Sequence, residues 1–192
     1  VPNPATRVQN ADGSERSAFE KLDLRVARIT AARQHPDADK LFIEQLDVGE
    51  LGERQIVSGL KGYYTPQELV GKHIIVVANL KKAKLRGEVS EGMLLAAEDD
   101  KDNVGLVVAP DAKPGDRVSL AEDSVQDAAV SVQNAEGSAP GSDRSVSRID
   151  IKEFFSITLK AQGKDGVSFD GKPLVVDGKP LVVEKDVVGK VA

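Results

Sequence analysis

One helix-start signal lies inside a series of short apolar runs, and its position restricts the fold more than any other feature of the chain. The segment Thr65-Pro66-Gln67-Glu68 has the form of a capping box, with Thr65 at the N-cap and Glu68 at the third helical position. It predicts a short helix over residues 66–70. Segments with strand character lie on both sides of this helix, at residues 22–29, 41–48, 53–59, 73–78, 93–97, 104–108 and 117–120.

The first of these segments shows the alternation of a half-buried strand. Leucine, valine and isoleucine side chains alternate there with Asp23, Arg25 and Arg28, which places both arginines on the exposed side. Three strands, a short helix and further strands within about a hundred residues favour closure into a small barrel. A helix after the third strand fits a five-stranded oligonucleotide-binding (OB) barrel in an all-β fold. Periodicity alone leaves other small β-barrels open.

Composition excludes several classes of site. The 192 residues include no cysteine, so disulfides, thiolate metal sites and cysteine nucleophiles are ruled out. His35 and His73 are too far apart in sequence to suggest a zinc site. No apolar run approaches the roughly 18 residues of a membrane span. We therefore expect a cytoplasmic protein that has no catalytic residues, metal or cofactor and does not associate with a membrane.

Positive charge is concentrated in one segment of an acidic chain. The net charge is −5, yet residues 70–87 contain no aspartate or glutamate. The strand at 74–78 ends at Asn79 and leads into a loop with four cations, which are Lys81, Lys82, Lys84 and Arg86. A phosphate backbone is the partner that such a cluster of cations would attract and bind. An ordinary solvated loop is the alternative.

The alternation within this loop predicts which side chains face outward. Lys82, Lys84 and Arg86 would share one side, while Ala83 and Leu85 would face inward. Lysines give mobile contacts to phosphate, whereas Arg86 can bind one in a bidentate manner.

Uncharged residues flank the loop, and each of them could contact a ligand or have a structural role instead. Asn79 suits a base edge or a 2′-hydroxyl, but an asparagine at a strand end also caps turns. Ser90 and Met93 belong to the segment S-E-G-M, in which Gly92 would let a ligand approach the backbone. Met93 offers an apolar platform, and filling the core is its alternative.

Two further residue sets favour structural roles. Phe42 is an aromatic on a strand where a base could stack, but a core position explains it better. In HPDADKL, His35 and Asp37 resemble an acid–base pair, but the turn around Pro36 explains them better.

Both flanks of the barrel segment contain repeats. VQNADGS at residues 8–14 returns as VQDAAVS and VQNAEGS at 125–138, which indicates copies of a linker. We expect a flexible tail at 1–18, a linker at 121–148 and, because the first residue is valine, a longer parent chain. At 149–192 the heptapeptide DGKPLVV occurs twice in tandem, which predicts a three-strand meander packed on the barrel.

Five motifs carry a family resemblance. DLRVARI, HPDADKL, QIVSGL, VVANLKKAKLRG and SEGMLLAAED occur in this order. Residues 19–120 resemble the tRNA-binding OB-fold domain that is found at the C-terminus of many methionyl-tRNA synthetases. The same domain occurs in free-standing tRNA-binding proteins and in the precursors of an endothelial-monocyte-activating cytokine. Residues 149–192 more loosely resemble the extension of the cytokine-like branch, which stands in for the second subunit of a homodimer.

The resemblance implies a non-catalytic tRNA-binding module, the C-terminal appendage of a methionyl-tRNA synthetase. Its partners would be tRNA and a synthetase catalytic domain in cis or in trans, and a monomer with a pseudo-dimer extension is favoured over a homodimer. The family's binding role passes to Asn79, Lys84, Arg86, Ser90 and Met93, and local charge adds Lys81, Lys82, Arg25 and Arg28. The rival is a protein-binding module of the same fold, either cytokine-like or export-chaperone-like.

Overall fold

The computed structural model describes residues 7–9, 15–121, 148–169 and 171–191. Its helices are α1 (Pro66–Leu69) and α2 (Ile151–Ser156). Its strands, in chain order, are β1 (Arg7–Gln9), β2 (Glu15–Ser17), β3 (Leu24–Gln34), β4 (Phe42–Asp47), β5 (Glu53–Ser58), β6 (His73–Val77), β7 (Ala83–Leu85), β8 (Glu88–Ser90), β9 (Ala96–Glu98), β10 (Val104–Val108), β11 (Ser119–Leu120), β12 (Leu159–Gln162), β13 (Val167–Phe169), β14 (Lys172–Val176), β15 (Lys179–Pro180), β16 (Val182–Val183) and β17 (Val188–Val191). Within these ranges no helix is long and apolar enough to cross a membrane.

Five segments close the barrel that the sequence predicts. The antiparallel order β6-β3-β4-β5 forms four of its staves. The fifth is the irregular segment 88–98, which bonds to both β5 and β6. Its Glu91 N–H donates to the carbonyl of Gln55 on β5 at 2.8 Å, and its Met93 carbonyl accepts from Val77 on β6 at 2.8 Å. β10 belongs to the barrel through its pairing with β9 and β6. The all-β barrel with one short helix after its third strand is confirmed.

The helix α1 forms as the capping box predicts. The Thr65 hydroxyl accepts from the N–H of Glu68 at 3.3 Å, and the Glu68 carboxylate accepts from the N–H of Thr65 at 2.7 Å. Its last residue, Leu69, is fully buried in the barrel interior, in a cluster that includes Ile29 and Ile56. The helix therefore covers the barrel interior with one apolar side chain.

Residues 149–191 pack against the barrel as an extension. β17 pairs with β9, β16 with β10, and β14 with β11, so three strand pairs join the two parts. A second buried cluster lies across the joint, with Leu95 and Val107 from the barrel and Leu159 and Leu174 from the extension. The extension thus completes two strand edges and covers an apolar face of the barrel.

The extension is more elaborate than a three-strand meander. It contains β12 to β17, and it begins with a helix that the sequence analysis did not predict. A capping box forms there as well, because the Asp150 carboxylate accepts from the N–H of Glu153 at 2.9 Å and the reverse bond is also 2.9 Å. The spacing of Asp150 and Glu153 was the signal that could have found it.

The two copies of DGKPLVV adopt different structures. Lys172–Val176 forms β14 and pairs with β13, β11 and β15, whereas the second copy divides into β15 and β16. β16 leaves the extension to pair with β10 of the barrel. The equivalent residues Val175 and Val182 are 5% and 38% exposed.

Other predictions concern the flanks. β1 and β2 pair with each other inside the segment predicted to be a flexible tail. Most of the predicted linker at 121–148 and its two repeat copies lie outside the described residues.

Candidate nucleic-acid interface

The basic loop is a β-hairpin that projects from the barrel. β7 and β8 form a two-stranded sheet of their own, and the turn between them has positive φ at Arg86 (52°) and Gly87 (92°). Positive φ at both central residues is typical of the tight turns that join twisted antiparallel strands. The hairpin exposes all four cations of the segment, namely Lys81, Lys82, Lys84 and Arg86.

The predicted facing of this segment is wrong. Ala83 and Leu85 are exposed, and Leu85 is 40% accessible. The reason is that β7 pairs only with β8, so neither of its faces lies on the barrel core. The hairpin therefore offers apolar as well as cationic side chains to a partner.

The four cations differ in their neighbours. Lys82 Nζ lies 3.3 Å from the carboxylate of Glu91, so its charge is partly offset. In the part of the chain that the structure describes, Lys84 and Arg86 make no ion pair with any carboxylate. Lys81 makes none there either, but it precedes β7, so Lys84 and Arg86 are the uncompensated cations of the hairpin strands and their turn.

The buried side chain of His35 fixes the hairpin to the turn after β3. Its Nδ1 accepts from the N–H of Asp37 at 3.0 Å, so the ring proton is on Nε2, which lies 3.3 Å from the carbonyl oxygen of Leu85. Arg33 and Glu88 add an ion pair at 3.6 Å. His35 thus has the structural role favoured for it, and it orients the hairpin.

Substituting His35 with asparagine is expected to keep the turn and release the hairpin. An asparagine side chain accepts from the N–H two residues later, as His35 does now, but it is too short to reach Leu85. Leaving the Leu85 carbonyl without its donor costs about 1–3 kcal/mol where water does not replace it. Hydrogen exchange should accelerate in residues 83–90, while the Asp37 amide stays protected.

His35→Gln is the matched variant. The longer glutamine side chain is expected to keep a donor for the Leu85 carbonyl and to lose the hydrogen bond from the Asp37 N–H. Uniformly faster exchange over the whole barrel in His35→Asn would contradict an orienting role.

Asn79 is buried and its amide bonds within the protein. Its Oδ1 accepts from the N–H of Asp23 at 3.0 Å, and its Nδ2 donates to the carbonyl of Lys21 at 2.7 Å. The structure therefore gives Asn79 the capping role that the sequence left open. It fixes the point at which the chain leaves β6 for the hairpin.

The segment S-E-G-M forms the seam of the barrel. Ser90 is buried, and its Oγ accepts from the N–H of Val57 at 3.0 Å and donates to the carbonyl of Gly92 at 2.9 Å. A Cβ at Gly92 would lie 3.0 Å from the Val77 carbonyl oxygen, so the absence of a side chain favours this close strand contact. On the side where a Cβ would lie, Gly92 is covered by β6 and β5.

Met93 is half-buried and packs against the cluster shared by barrel and extension. Phe42 is buried in the barrel interior, as its core alternative predicted. Neither side chain lies on the hairpin.

The two arginines of β3 have different surroundings. Arg25 is half-buried, with its Nε 2.7 Å from the Asp23 carboxylate and its Nη1 donating to the Gly115 carbonyl at 3.1 Å. The expectation that Arg25 lies on an exposed side is therefore corrected. Arg28 is exposed but aligns with His73, at the start of β6, whereas the hairpin follows the other end of that strand.

The barrel interior contains an ionisable group that the sequence analysis missed. Glu44 is fully buried, its Oε1 accepts from the Ser58 hydroxyl, and its Oε2 has no hydrogen-bond partner among the described residues. Burial raises the pKa of this carboxyl to about 8. The alternation of Phe42, Glu44 and Leu46 on one face of β4 was the available signal.

Comparison with known proteins agrees with this geometry. Residues 24–117 match the family model described as "Putative tRNA binding domain". A solved "MetRS related protein" from Pyrococcus horikoshii is 33% identical with a TM-score of 0.50, and the match covers 57% of this chain and 96% of that one. The chain belongs to this tRNA-binding domain family.

This chain is similar to synthetases in sequence and to a longer solved domain in fold. The methionine–tRNA ligases of Borreliella burgdorferi and Methanocaldococcus jannaschii are 50% and 53% identical over 57% and 53% of the chain. The match spans only 16% of each ligase. The C-terminal domain of Plasmodium vivax p43 matches 91% of the chain, and the match covers 98% of that domain, with a TM-score of 0.67 at 22% identity. Its fold therefore includes both the barrel and the extension.

Proposed function

We propose that the chain is a non-catalytic module that binds tRNA through the projecting hairpin. The observation that carries this proposal is the pair Lys84 and Arg86, exposed on a hairpin that other side chains orient and without a carboxylate partner in the described ranges. A family member with uncompensated cations on an acidic chain has a polyanion as its natural ligand.

The chemistry of the hairpin favours contacts to the RNA backbone. Its exposed side chains are lysine, arginine, leucine and valine, and it has no aromatic residue on which bases could stack. Lysine and arginine bind phosphate without reading sequence. The module would therefore recognise the shape and backbone of tRNA, and bind different tRNAs with similar affinity.

The proposal extends to a place beside a synthetase. Relatives of this region are parts of methionine–tRNA ligases, which supports a C-terminal appendage of such an enzyme, with a catalytic domain in cis or in trans. The appendage would raise the local tRNA concentration and so lower the apparent KM for aminoacylation. A cytoplasmic location belongs to the same proposal.

Binding of bulk tRNA, duplex DNA and single-stranded RNA at several salt concentrations tests the function. With about four or five phosphate contacts, the log–log slope of affinity against salt should be roughly −3 to −4. Fluorescence anisotropy with labelled tRNA measures it. A slope near zero, or tight binding of an apolar peptide with none of tRNA, would favour the protein-binding alternative instead.

We further propose that the chain is a monomer in which the extension replaces a second subunit. The support is the joint itself, where β17 and β16 complete the edges of β9 and β10 over a shared apolar cluster. A barrel that lacks this cover exposes strand edges and buried valines, which a second copy could cover.

A chain ending near Leu120 is therefore expected to dimerise, whereas the whole chain sediments as a monomer. The truncated form loses the partners of Leu95 and Val107, so association replaces the burial that the extension provides. Analytical ultracentrifugation over a range of concentrations distinguishes the two states. A folded, monomeric truncated barrel would contradict the pseudo-dimer.

A further inference from the structure

The extension meets the base of the hairpin through main-chain hydrogen bonds. The N–H of Lys81 donates to the carbonyl of Ile149 at 2.8 Å, and the N–H of Ile149 donates to the carbonyl of Asn79 at 3.0 Å. Leu80 and Ile149 form a short parallel bridge. The first described residues of the extension are therefore fixed beside the first cation of the hairpin.

Two exposed cations flank this contact. Arg148 precedes Ile149 directly, and Lys152 lies in the first turn of α2. Neither makes an ion pair with a carboxylate in the described ranges. We call Arg148 and Lys152 the extension cations.

The pKa of the Asp150 carboxyl is lowered by groups of both the hairpin segment and the extension. Its hydrogen bond from the N–H of Glu153 lowers its pKa most, and the backbone N–H of Lys152 and the charges of Lys81 and Lys152 lower it further. A charge from the hairpin segment and a charge from α2 thus both act on this carboxylate. Asp150 and Glu153 are also both occupied by the backbone of α2.

We propose that the phosphate-binding surface continues from the hairpin onto the extension, where Arg148 and Lys152 contact the same RNA backbone. This inference rests on the proposed function of the hairpin. A backbone bound at Lys84 and Lys81 would meet the extension cations next, because the bridge at Ile149 holds their main chain beside the hairpin base. The extension then contributes directly to RNA affinity as well as covering the barrel.

The test is the double variant Arg148→Gln and Lys152→Gln in the full chain. Both side chains are exposed, so the unfolding midpoint should not change. Each phosphate contact contributes roughly 0.7–0.9 to the salt slope, so losing two should reduce the slope by about 1.5 and the tRNA affinity about 5- to 20-fold near 0.1 M salt.

A control variant removes the same charge elsewhere. Lys113 and Lys164 are exposed, and neither makes an ion pair in the described residues. Both lie towards the start of β6, whereas the hairpin follows its end. Lys113 is next to Ala112, whose carbonyl contacts the His73 ring. The N–H of Lys164 donates to Asp186, two residues from Glu184, which pairs with Lys72. Lys113→Gln with Lys164→Gln should change affinity less than about 2-fold and leave the slope intact, since no phosphate contact is lost.

The possible results separate the inference from the function on which it rests. Equal losses in both double variants would show a net-charge effect and overturn the inference. Unchanged affinity in the extension variant, with hairpin variants impaired, would also overturn it and leave the proposed function standing. Failure of the unaltered chain to bind tRNA would overturn both.

Discussion

Replacing Lys82, Lys84 and Arg86 with alanine is expected to weaken binding of bulk tRNA roughly 10- to 100-fold near 0.1 M salt and to lower the salt slope by about 2 to 3. These side chains project from a hairpin outside the core, so their removal takes away charge and little packing. Arg86 already has positive φ, so alanine there retains the same backbone strain. Salt-titrated anisotropy with two unrelated tRNAs measures the effect.

The loss of tRNA affinity in each single variant should depend on the charges next to the replaced side chain. Lys82→Ala should cost less than Lys84→Ala or Arg86→Ala, because Glu91 already offsets part of the Lys82 charge. Arg86→Lys tests for a bidentate contact, since lysine retains the charge and loses the planar pair of donors. The triple variant Lys113→Ala, Lys164→Ala and Lys179→Ala is the matched control. Selective loss for one of the two tRNAs would contradict recognition through the backbone.

Glu44 should make the folded protein less stable as the pH rises. Its pKa is raised to about 8 in the folded state against 4.5 when exposed, so between these values only the folded state retains the proton. The stabilisation is full below about pH 4.5 and is lost as pH rises through about 8. Since each tenfold change in proton affinity is worth about 1.4 kcal/mol, the total is on the order of 5 kcal/mol.

Urea unfolding of the natural chain and of Glu44→Gln at pH 5, 6.5 and 8.5 isolates this effect. The glutamine cannot ionise, so the difference between the two proteins should change by several kcal/mol over the window. Asp99 and Asp150, whose pKa values are lowered, are common to both proteins and cancel in the comparison. Ser58→Ala removes a hydrogen bond that lowers the Glu44 pKa, so there the loss should extend to higher pH. Parallel stability curves for the natural chain and Glu44→Gln would show that Glu44 is not the titrating group.

The topology of the barrel was predictable because its signals are local. Alternation defined the strands, and the capping box of Thr65 and Glu68 placed α1 after the third strand. A second capping box, at Asp150 and Glu153, is an equally clear local signal for α2, but it was not among the sequence predictions. The concentration of cations in the hairpin was also visible, because charge is a property of composition.

Roles that depend on distant contacts were not predictable in this way. Asn79, Ser90 and Gly92 have the residue types of a binding surface, yet each is engaged by backbone from elsewhere in the barrel. Leu85 occupies a position that the alternation of side chains assigns to the buried face, but its strand pairs only with β8 and has no core beside it. Periodicity defines two faces of a strand and does not say which face, if either, is covered.

The sequence by itself determined the strand and helix order of the barrel, the family and the cationic segment. The tertiary structure decided which backbone groups Asn79 and Ser90 bond, how His35 holds the hairpin, and where the extension meets Lys81. The two identical heptapeptides show the reason most directly. Their local preferences are the same, but the partners available to each differ, so Val175 is buried while Val182 stays partly exposed on a strand that pairs with the barrel.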